Sequence, residues 1–368
     1  MTTEHHFFAD DAHATSFLEN DWQQRPRFLR AALTSLPELP DWRTLCADDN
    51  VESRRVITMD DRFALEHGPF EPVDPTSPWT VLIQDADYHA PALRALFHAV
   101  RLLPSWRLED IMMSVATTGA SVGPHVDAYD VFLVQARGRR AWDVGETGQY
   151  NLRHDDGDLR LVEPFAVSDR YEATPGDVLY LPPDVPHHGV ATSDDCVTLS
   201  IGFRSPSLLD VAATLLAQAS GAPRYRDPAL TPATQPGLID AAAIARLRAQ
   251  LKDYAQLADT DLLEALGELV TEPKDWLAPD PRDSSWPSAA SSVVLSAGAR
   301  LAFGTADRAH WAFANGVRYP LEDAESQQFV ALLASGASAA VPASIAARTL
   351  LEQLWEDGVV NANRKQQP

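Results

Sequence analysis

Short runs of aliphatic, β-branched and aromatic residues follow one another from about Val56 to Phe203, and turn-forming residues separate them. The clearest runs are WTVLIQ, IMMSVAT, DVFLVQ, AWDVG, VLYLP and VTLSIGF. Short strands at this density are typical of a β-sandwich or β-barrel. The pattern therefore predicts a β-rich domain over this part of the chain.

Helical periodicity flanks the β-rich region on both sides. Before it, residues 16–36 have apolar positions at helical spacing and predict a helix that Pro26 interrupts. After it, Ile244, Leu247 and Leu251 recur at spacings of three and four residues, which indicates one apolar helix face. We therefore expect an α+β protein with a helical segment after the β-rich domain.

The end of the chain has a different texture. The stretch TEPKDWLAPDPRDSSWPS is rich in Pro and Asp and predicts a linker. Beyond about Ser291, the strand-like runs SVVLSA and HWAFAN alternate with the helical runs DAESQQFVALLASG and ASIAARTLLEQLWEDG, a pattern of winged-helix type. We therefore divide the chain into a β-rich domain over 1–205, a helical domain over 206–280 and a small winged-helix-like domain over 281–368.

Composition narrows the class of protein. The formal net charge is -22 and the sequence pI about 4.7, which argues against direct binding of nucleic acid and favours encounter with a basic partner. Two cysteines are too few for a disulfide framework or a Cys-rich zinc site. The first residues lack the features of a signal peptide, and no apolar run is long enough to span a membrane. We expect a cytoplasmic protein without a membrane partner.

The stretch GPHVDAYDVFLVQ holds a His and an Asp two residues apart, directly before an apolar run. If Val126 lies in a strand, His125 and Asp127 point to the same side. An imidazole and a carboxylate that converge are two of the three ligands in the facial triad of non-haem Fe(II) proteins. A second His-x-Asp, His154 and Asp156, lies among polar residues and predicts a solvated loop.

The stretch ATPGDVLYLPPDVPHHGV supplies a third ligand. Pro175-Gly176 predicts a type II turn, and an apolar strand and a proline-stiffened loop follow. The loop ends on His187, with His188 as a rival for the same role. Two His and one carboxylate with open positions favour Fe(II), although a zinc hydrolase remains an alternative.

An Fe(II) oxygenase needs a co-substrate that supplies electrons. If that co-substrate is 2-oxoglutarate, its distal carboxylate needs a cation inside the barrel, and ARGRRAW offers Arg139 and Arg140. Arg140 alternates with the apolar residues Trp142 and Val144, so we expect Arg140 rather than Arg139 to point inward.

Three segments resemble the JmjC-type ribosomal oxygenases of bacteria: GPHVDAYDVFLVQARGRRAWDVG, PGDVLYLPPDVPHHG and SIGFRSP. The upstream segments FLENDWQQRPRFLR, HGPF and LPSWRLEDIMMSV resemble the same family, so the likeness covers most of residues 16–206. VATTGAS stands where the family has a Gly-rich run. The family depends on Fe(II) and 2-oxoglutarate and hydroxylates an arginine of a large-subunit ribosomal protein.

The resemblance implies a double-stranded β-helix (cupin/JmjC) barrel, followed by a helical dimerisation segment and a winged-helix-like end. It implies iron ligands at His125, Asp127 and His187. It implies that Arg140, with Ser114, binds 2-oxoglutarate, and that O2 is consumed. The implied reaction is hydroxylation of an arginine β-carbon in a basic ribosomal protein by a homodimeric enzyme.

Three alternatives stay open. The same chemistry serves histidyl hydroxylases and N-methyl demethylases. A metal-binding cupin of other chemistry commonly has a His-x-His pair and a later Glu, whereas this chain has His-x-Asp. A non-enzymatic ribosome-assembly protein would need no iron.

Overall fold

The computed structural model describes residues 7–363 except 61, 71–75, 154–159, 219–223, 225, 227–240, 255–257 and 288–289. The chain divides into two compact units, residues 1–205 and 206–368. The further division of the second unit near residue 280 stays a prediction. None of the helices in the described part of the chain has the length and apolarity that a membrane crossing requires.

Antiparallel strands build the first unit. They are β1 (Arg27–Leu29), β2 (Ser53–Met59), β3 (Arg62–His67), β4 (Trp79–Ile83), β5 (Leu108–Ala116), β6 (Val131–Arg137), β7 (Arg140–Val144), β8 (Asp169–Ala173), β9 (Val178–Leu181), β10 (His187–Ala191) and β11 (Cys196–Phe203). The helices are α1 (Asp11–Asn20), α2 (Trp42–Cys46) and α3 (Ala86–His89), with 3₁₀ segments at Pro91–Val100 and Ser105–Arg107. The strand runs predicted from the sequence are confirmed.

The strands form two sheets that pack against each other. The larger sheet has the order β1-β9-β6-β11-β5-β4-β2-β3, and the smaller has the order β10-β7-β8. One apolar cluster joins them, because Leu133 and Leu179 of the larger sheet pack with Trp142 and Val144 of the smaller. This is the β-barrel that the sequence predicts.

The strand β6 shows why its sequence is an almost unbroken apolar run. Val131 and Leu133 point into the barrel, and the alternating Phe132 and Val134 belong to a second cluster outside it. Both faces are buried, so polar alternation is absent. Phe17 of α1 packs on that outer face, with its ring centroid 5.6 Å from that of Phe132.

The N-terminal helix is shorter than the sequence predicts. It begins at Asp11, after the Asp10 carboxylate that accepts a hydrogen bond from the His13 N–H, and it ends at Asn20. The expectation of a helix over residues 16–36 is therefore wrong beyond that point. Pro26 cannot continue the helix, and the chain becomes extended in β1, which pairs with β9.

The second unit combines helices with two small sheets. Its helices are α4 (Leu208–Gln218), α5 (Ala241–Tyr254), α6 (Asp259–Thr271), α7 (Ala324–Ala334) and α8 (Ile345–Glu356). Its strands are β12 (Ser292–Leu295), β13 (Leu301–Ala306), β14 (Ala309–Ala314), β15 (Val317–Pro320), β16 (Ala339–Ala340) and β17 (Val360–Asn363), in the orders β16-β12-β17 and β13-β14-β15. The mixed composition is confirmed, and the winged-helix type stays a prediction.

The turn before β9 requires glycine at its third position. Gly176 has φ +92°, and a Cβ there would lie 2.4 Å from the backbone oxygen of Leu33. Gly148 also has a positive φ, of +73°, but its Cβ would meet nothing within 4 Å. Substitution of Gly148 therefore tests left-handed backbone strain alone, whereas substitution of Gly176 adds steric overlap with the backbone.

We expect Gly176→Ala to lower the free energy of unfolding by at least about 3 kcal/mol, and Gly148→Ala by about 1–2 kcal/mol. Both substitutions strain a left-handed backbone, but only the first forces a side chain against backbone. Urea denaturation followed by circular dichroism measures both values. Equal losses for the two variants would contradict the steric argument.

Candidate metal centre

The loop before β6 carries His125 and Asp127. His125 bridges to Leu161 and to His187 instead of lying in a longer strand. Its N–H donates to the His187 carbonyl and its carbonyl accepts from the His187 N–H, both at 3.0 Å. Val126 does not lie in a strand, because the chain leaves the ladder directly after the bridge, so strand alternation does not explain why the two side chains converge.

The loop nevertheless brings both side chains to one point. The Asp127 carbonyl accepts a hydrogen bond of 2.9 Å from the Asp184 N–H, in the proline-rich loop before β10. This contact holds the turned backbone in place. The Asp127 carboxylate lies close to the imidazoles of His125 and His187.

The three predicted ligands form a cluster. One ligand atom from each of His125, Asp127 and His187 lies within 4.8 Å of the others. His187 Nε2 is 3.7 Å from Asp127 Oδ2, and the two imidazole centroids are 4.2 Å apart. His187 is 2% exposed, and the other two are half-buried. Two nitrogens and one carboxylate oxygen are a donor set that fits a divalent first-row metal such as Fe(II).

Backbone carbonyls orient both imidazoles. The Nδ1 of His125 lies 2.9 Å from the Gly123 carbonyl oxygen, and the Nδ1 of His187 lies 3.0 Å from that of Val185. A carbonyl only accepts, so Nδ1 carries the proton in each ring and Nε2 keeps its lone pair. Burial, together with the neighbouring His125, lowers the pKa of His187 to about 4. Its ring is therefore neutral at pH 7 and able to bind a metal.

The structure separates the two adjacent histidines. Successive residues of β10 point to opposite faces, and their burial alternates accordingly. His188 lies opposite Asp143 in the ladder, and its side chain is not part of the three-residue cluster. His154 and Asp156, the second His-x-Asp, lie outside the described residues.

Arg140 lies inside the barrel. It is 3% exposed, its Nη2 donates to the Ser114 hydroxyl at 3.2 Å, and its Cζ is 5.6 Å from the Trp142 ring centroid. The Arg139 side chain is 57% exposed and lies 3.9 Å from Glu172. The apolar alternation of β7 thus indicates the correct residue for the interior.

The Arg140 guanidinium is buried with part of its hydrogen-bonding capacity unused. Its Nε is buried without a hydrogen-bond partner, and no carboxylate among the described residues forms an ion pair with it. A buried cation is costly unless an anion pairs with it. The position therefore fits the carboxylate of a small ligand, which guanidinium groups bind through two parallel hydrogen bonds.

Two further residues of this region escape the sequence analysis. Asp110 shares the inner face of β5 with Ser114, four residues away, and is 5% exposed. Tyr129 lies in the same loop as Asp127, and its pKa is raised by the charge of Asp127, with burial and the charge of Asp110 adding to the effect. The alternation of β5 is the signal that could have identified Asp110, because Ser114 marks the inner face.

Comparison with known protein families identifies the class. A JmjC domain model matches residues 95–211, and a model of the AraC-like ligand binding domain matches residues 165–267. The chain contains a JmjC domain. The family likeness predicted from the sequence is confirmed: the chain is related to the bacterial ribosomal oxygenases.

Two curated relatives carry that likeness. The chain is 37% identical over 229 residues to the ribosomal protein uL16 3-hydroxylase of Escherichia coli, and this match covers 60% of the chain and 61% of the relative. It is 35% identical over 209 residues to a probable ribosomal oxygenase of Haemophilus influenzae, covering 52% of the chain and 50% of the relative. The matches thus span about half to three fifths of the curated relatives.

Solved structures extend the likeness. The crystal structure of E. coli YcfD superimposes with a TM-score of 0.81 at 28% identity, covering 94% of this chain and 97% of that one. The ribosomal oxygenase YcfD in complex with cobalt and 2-oxoglutarate superimposes with a TM-score of 0.79 at 27% identity, covering 95% and 97%. The fold therefore matches over nearly the whole length.

We expect the protein to bind one Co(II), a stable substitute for Fe(II), and His187→Ala to abolish most of that affinity. The loss should exceed the roughly 10–100-fold that follows removal of an outer-shell partner, because a ligand itself is removed. His188→Ala is the matched control and should leave the affinity unchanged. Visible absorption during Co(II) titration measures all three proteins. Equal losses for the two variants would refute the assignment of His187.

Proposed function

We propose that this protein is an Fe(II)- and 2-oxoglutarate-dependent oxygenase that hydroxylates an arginine β-carbon in a large-subunit ribosomal protein. The observation that carries the proposal is that one barrel holds both a His-Asp-His cluster and a buried guanidinium without an anion. Trp142 links the two, because its ring is 5.9 Å from the His187 ring and 5.6 Å from the Arg140 Cζ.

The relatives support the same reaction. One is named a ribosomal protein uL16 3-hydroxylase, and a structural neighbour is a ribosomal oxygenase in complex with cobalt and 2-oxoglutarate. Hydroxylation of this type converts a C–H bond, O2 and 2-oxoglutarate into C–OH, succinate and CO2. The balance needs no other reductant, because the decarboxylation of 2-oxoglutarate supplies the electrons.

The residues of the site divide the work. His125, Asp127 and His187 would hold the iron, which, with 2-oxoglutarate and O2, supplies the oxidising power that the side chains lack. The carbonyl contacts at both Nδ1 atoms keep the imidazoles in the tautomer that binds metal. Arg140, with the Ser114 hydroxyl, would bind the distal carboxylate of 2-oxoglutarate. The buried apolar cluster around Trp142 would keep this part of the barrel poor in water.

Charge favours a basic substrate. The net charge of the chain is -22, which attracts a basic ribosomal protein over long range. Close to the candidate ligands, Asp110 adds negative charge beside Tyr129. The Asp110 carboxylate already accepts hydrogen bonds from Gln84 Nε2 and, at 3.3 Å, from the Asp85 N–H, so what it contributes towards a basic substrate is its charge. The location that this substrate implies is the cytoplasm, and direct contact with nucleic acid is not expected.

We also propose a homodimer, formed through the helices that follow the barrel. The apolar residues predicted on one face of α5 are solvent-exposed in the single chain: Ile244 is 46%, Leu247 40% and Leu251 56% exposed. Leu208 and Leu209 at the start of α4 are 88% and 77% exposed. Apolar surface of this kind is commonly covered in an assembly.

Substitution of Arg140 tests the co-substrate site. We expect Arg140→Met to weaken 2-oxoglutarate binding by about 100-fold, because a charge-assisted pair in a buried site is lost. Arg139→Met, the adjacent exposed position, should leave binding unchanged. Isothermal titration of the Co(II)-loaded protein with 2-oxoglutarate measures both. If both variants bind 2-oxoglutarate as the wild type does, the barrel interior does not hold the co-substrate.

The reaction is tested with Fe(II), 2-oxoglutarate and a panel of arginine-containing peptides from large-subunit ribosomal proteins. We expect succinate and a peptide heavier by one oxygen atom on an arginine, with both lost in His125→Ala. Peptides in which the arginine is replaced by lysine serve as the control. Mass spectrometry of fragment ions locates the modified residue.

The outcomes separate the hypotheses. Succinate with an oxygen atom on a histidine, or with loss of a methyl group, would keep the chemistry and change the substrate. Neither succinate nor iron uptake would refute the enzyme and favour a binding protein.

A further inference from the structure

Asp130 lies where the loop that carries two candidate ligands enters β6. Its side chain is 0% exposed. The carboxylate accepts three hydrogen bonds, from the Tyr180 hydroxyl at 2.7 Å, Gln23 Nε2 at 2.8 Å and Arg107 Nη2 at 3.1 Å. None of these four residues is needed for the proposed chemistry, so the network calls for another explanation.

The network joins four separate parts of the first unit. Tyr180 belongs to β9, Arg107 to the 3₁₀ segment before β5, and Gln23 to the segment after α1. The Gln23 N–H also donates to the Tyr180 hydroxyl at 2.7 Å, and the Asp130 carbonyl accepts from the Phe203 N–H at 3.1 Å. The side chain of Asp130 is thus held by strand β9 and by two segments outside the strands, and its backbone by β11.

Asp130 lies at the end of the loop that carries Asp127, so the network around Asp130 affects the path of that loop. Asp127 is three residues earlier, and residues 126–130 lie outside the strands. The loop therefore lacks a ladder of its own to determine its path. Two contacts bracket it instead: the Asp184 N–H on the Asp127 carbonyl, and the donors around Asp130.

We propose that Asp130 is a positioning residue of the metal centre: its buried carboxylate anchors the loop so that Asp127 points at His125 and His187. The inference rests on the metal site of the proposed function. Gln23 and Tyr180 act through Asp130, so the segment after α1 contributes to the geometry of a site that it does not touch.

The test is Asp130→Asn, which keeps the size of the side chain. One acceptor oxygen becomes an NH2 group that faces donors, so the three-bond arrangement cannot persist. The matched control is Asp177→Asn in the turn before β9. Asp177 is also buried, 3% exposed, and accepts from the Ala31 N–H at 2.8 Å, the Thr174 N–H at 2.9 Å and Arg30 at 3.1 Å. It has no contact with the ligand loop among the bonds of the described residues.

Co(II) affinity, the visible spectrum of bound Co(II) and the thermal midpoint are measured on the full chain. We expect both variants to unfold at lower temperature. Only Asp130→Asn should weaken Co(II) binding, by about 10-fold or more, and shift the absorption bands, because the geometry of the ligands changes. Tyr180→Phe and Gln23→Ala, which each remove one donor, should change affinity in the same direction by less. They carry the comparison if Asp130→Asn fails to fold.

Two results would overturn the inference. One is an Asp130→Asn protein, or a pair of single-donor variants, with wild-type Co(II) affinity and spectrum. The other is an equal loss of affinity in Asp177→Asn, which would indicate general destabilisation. Failure of the wild type to bind Co(II) would refute the metal site itself, and is distinguished because the wild type and the Asp177→Asn control then both fail to bind Co(II).

Discussion

The candidate metal centre depends on one pair of backbone hydrogen bonds, those that His125 and His187 exchange at 3.0 Å each. They join a loop to the edge of the smaller sheet, between residues far apart in the chain. A reciprocal pair of this type determines which residues are opposite each other, and so it brings two imidazoles to a centroid distance of 4.2 Å. Displacement of the register by one residue would replace His187 with its neighbour or point the side chain to the other face of the sheet. The positions of Trp142 and Arg140 depend on the same sheet, because both residues lie on β7, which pairs with β10.

Much of this arrangement could be predicted from the sequence, for reasons that differ between residues. The strands of the barrel are predictable because burial on both faces leaves long apolar runs, as in β6. Arg140 is predictable because it alternates with Trp142 and Val144 along β7. The turn at Gly176 is predictable from the Pro-Gly pair, and its positive φ agrees. Each of these signals is local, so that neighbouring residues alone are enough to produce it.

The features that were not predictable depend on contacts between distant segments. The path of the loop around Asp127 is determined by Asp184 and by the partners of Asp130, which local alternation does not reveal. Strand β1 exists because β9 offers it a pairing partner, although helical spacing of apolar residues continues through it. Asp110 shares a strand face with Ser114, but only the contact between Ser114 and Arg140 shows that this face is the inner one. Tertiary contacts therefore determine the local structure at positions where the propensity and the apolar pattern of the sequence are neutral or misleading.

The Arg140 guanidinium, which has no ion-pair partner among the described residues, also makes the stability of the fold depend on the concentration of an anion that binds there. A folded chain without an anion at this position keeps a buried cation with the Ser114 hydroxyl as its hydrogen-bond partner. An anion that binds the folded state and not the unfolded state stabilises the fold by an amount that grows with the logarithm of its concentration. In the proposed function Arg140 would bind the co-substrate, and the free energy of unfolding would then increase with the co-substrate concentration.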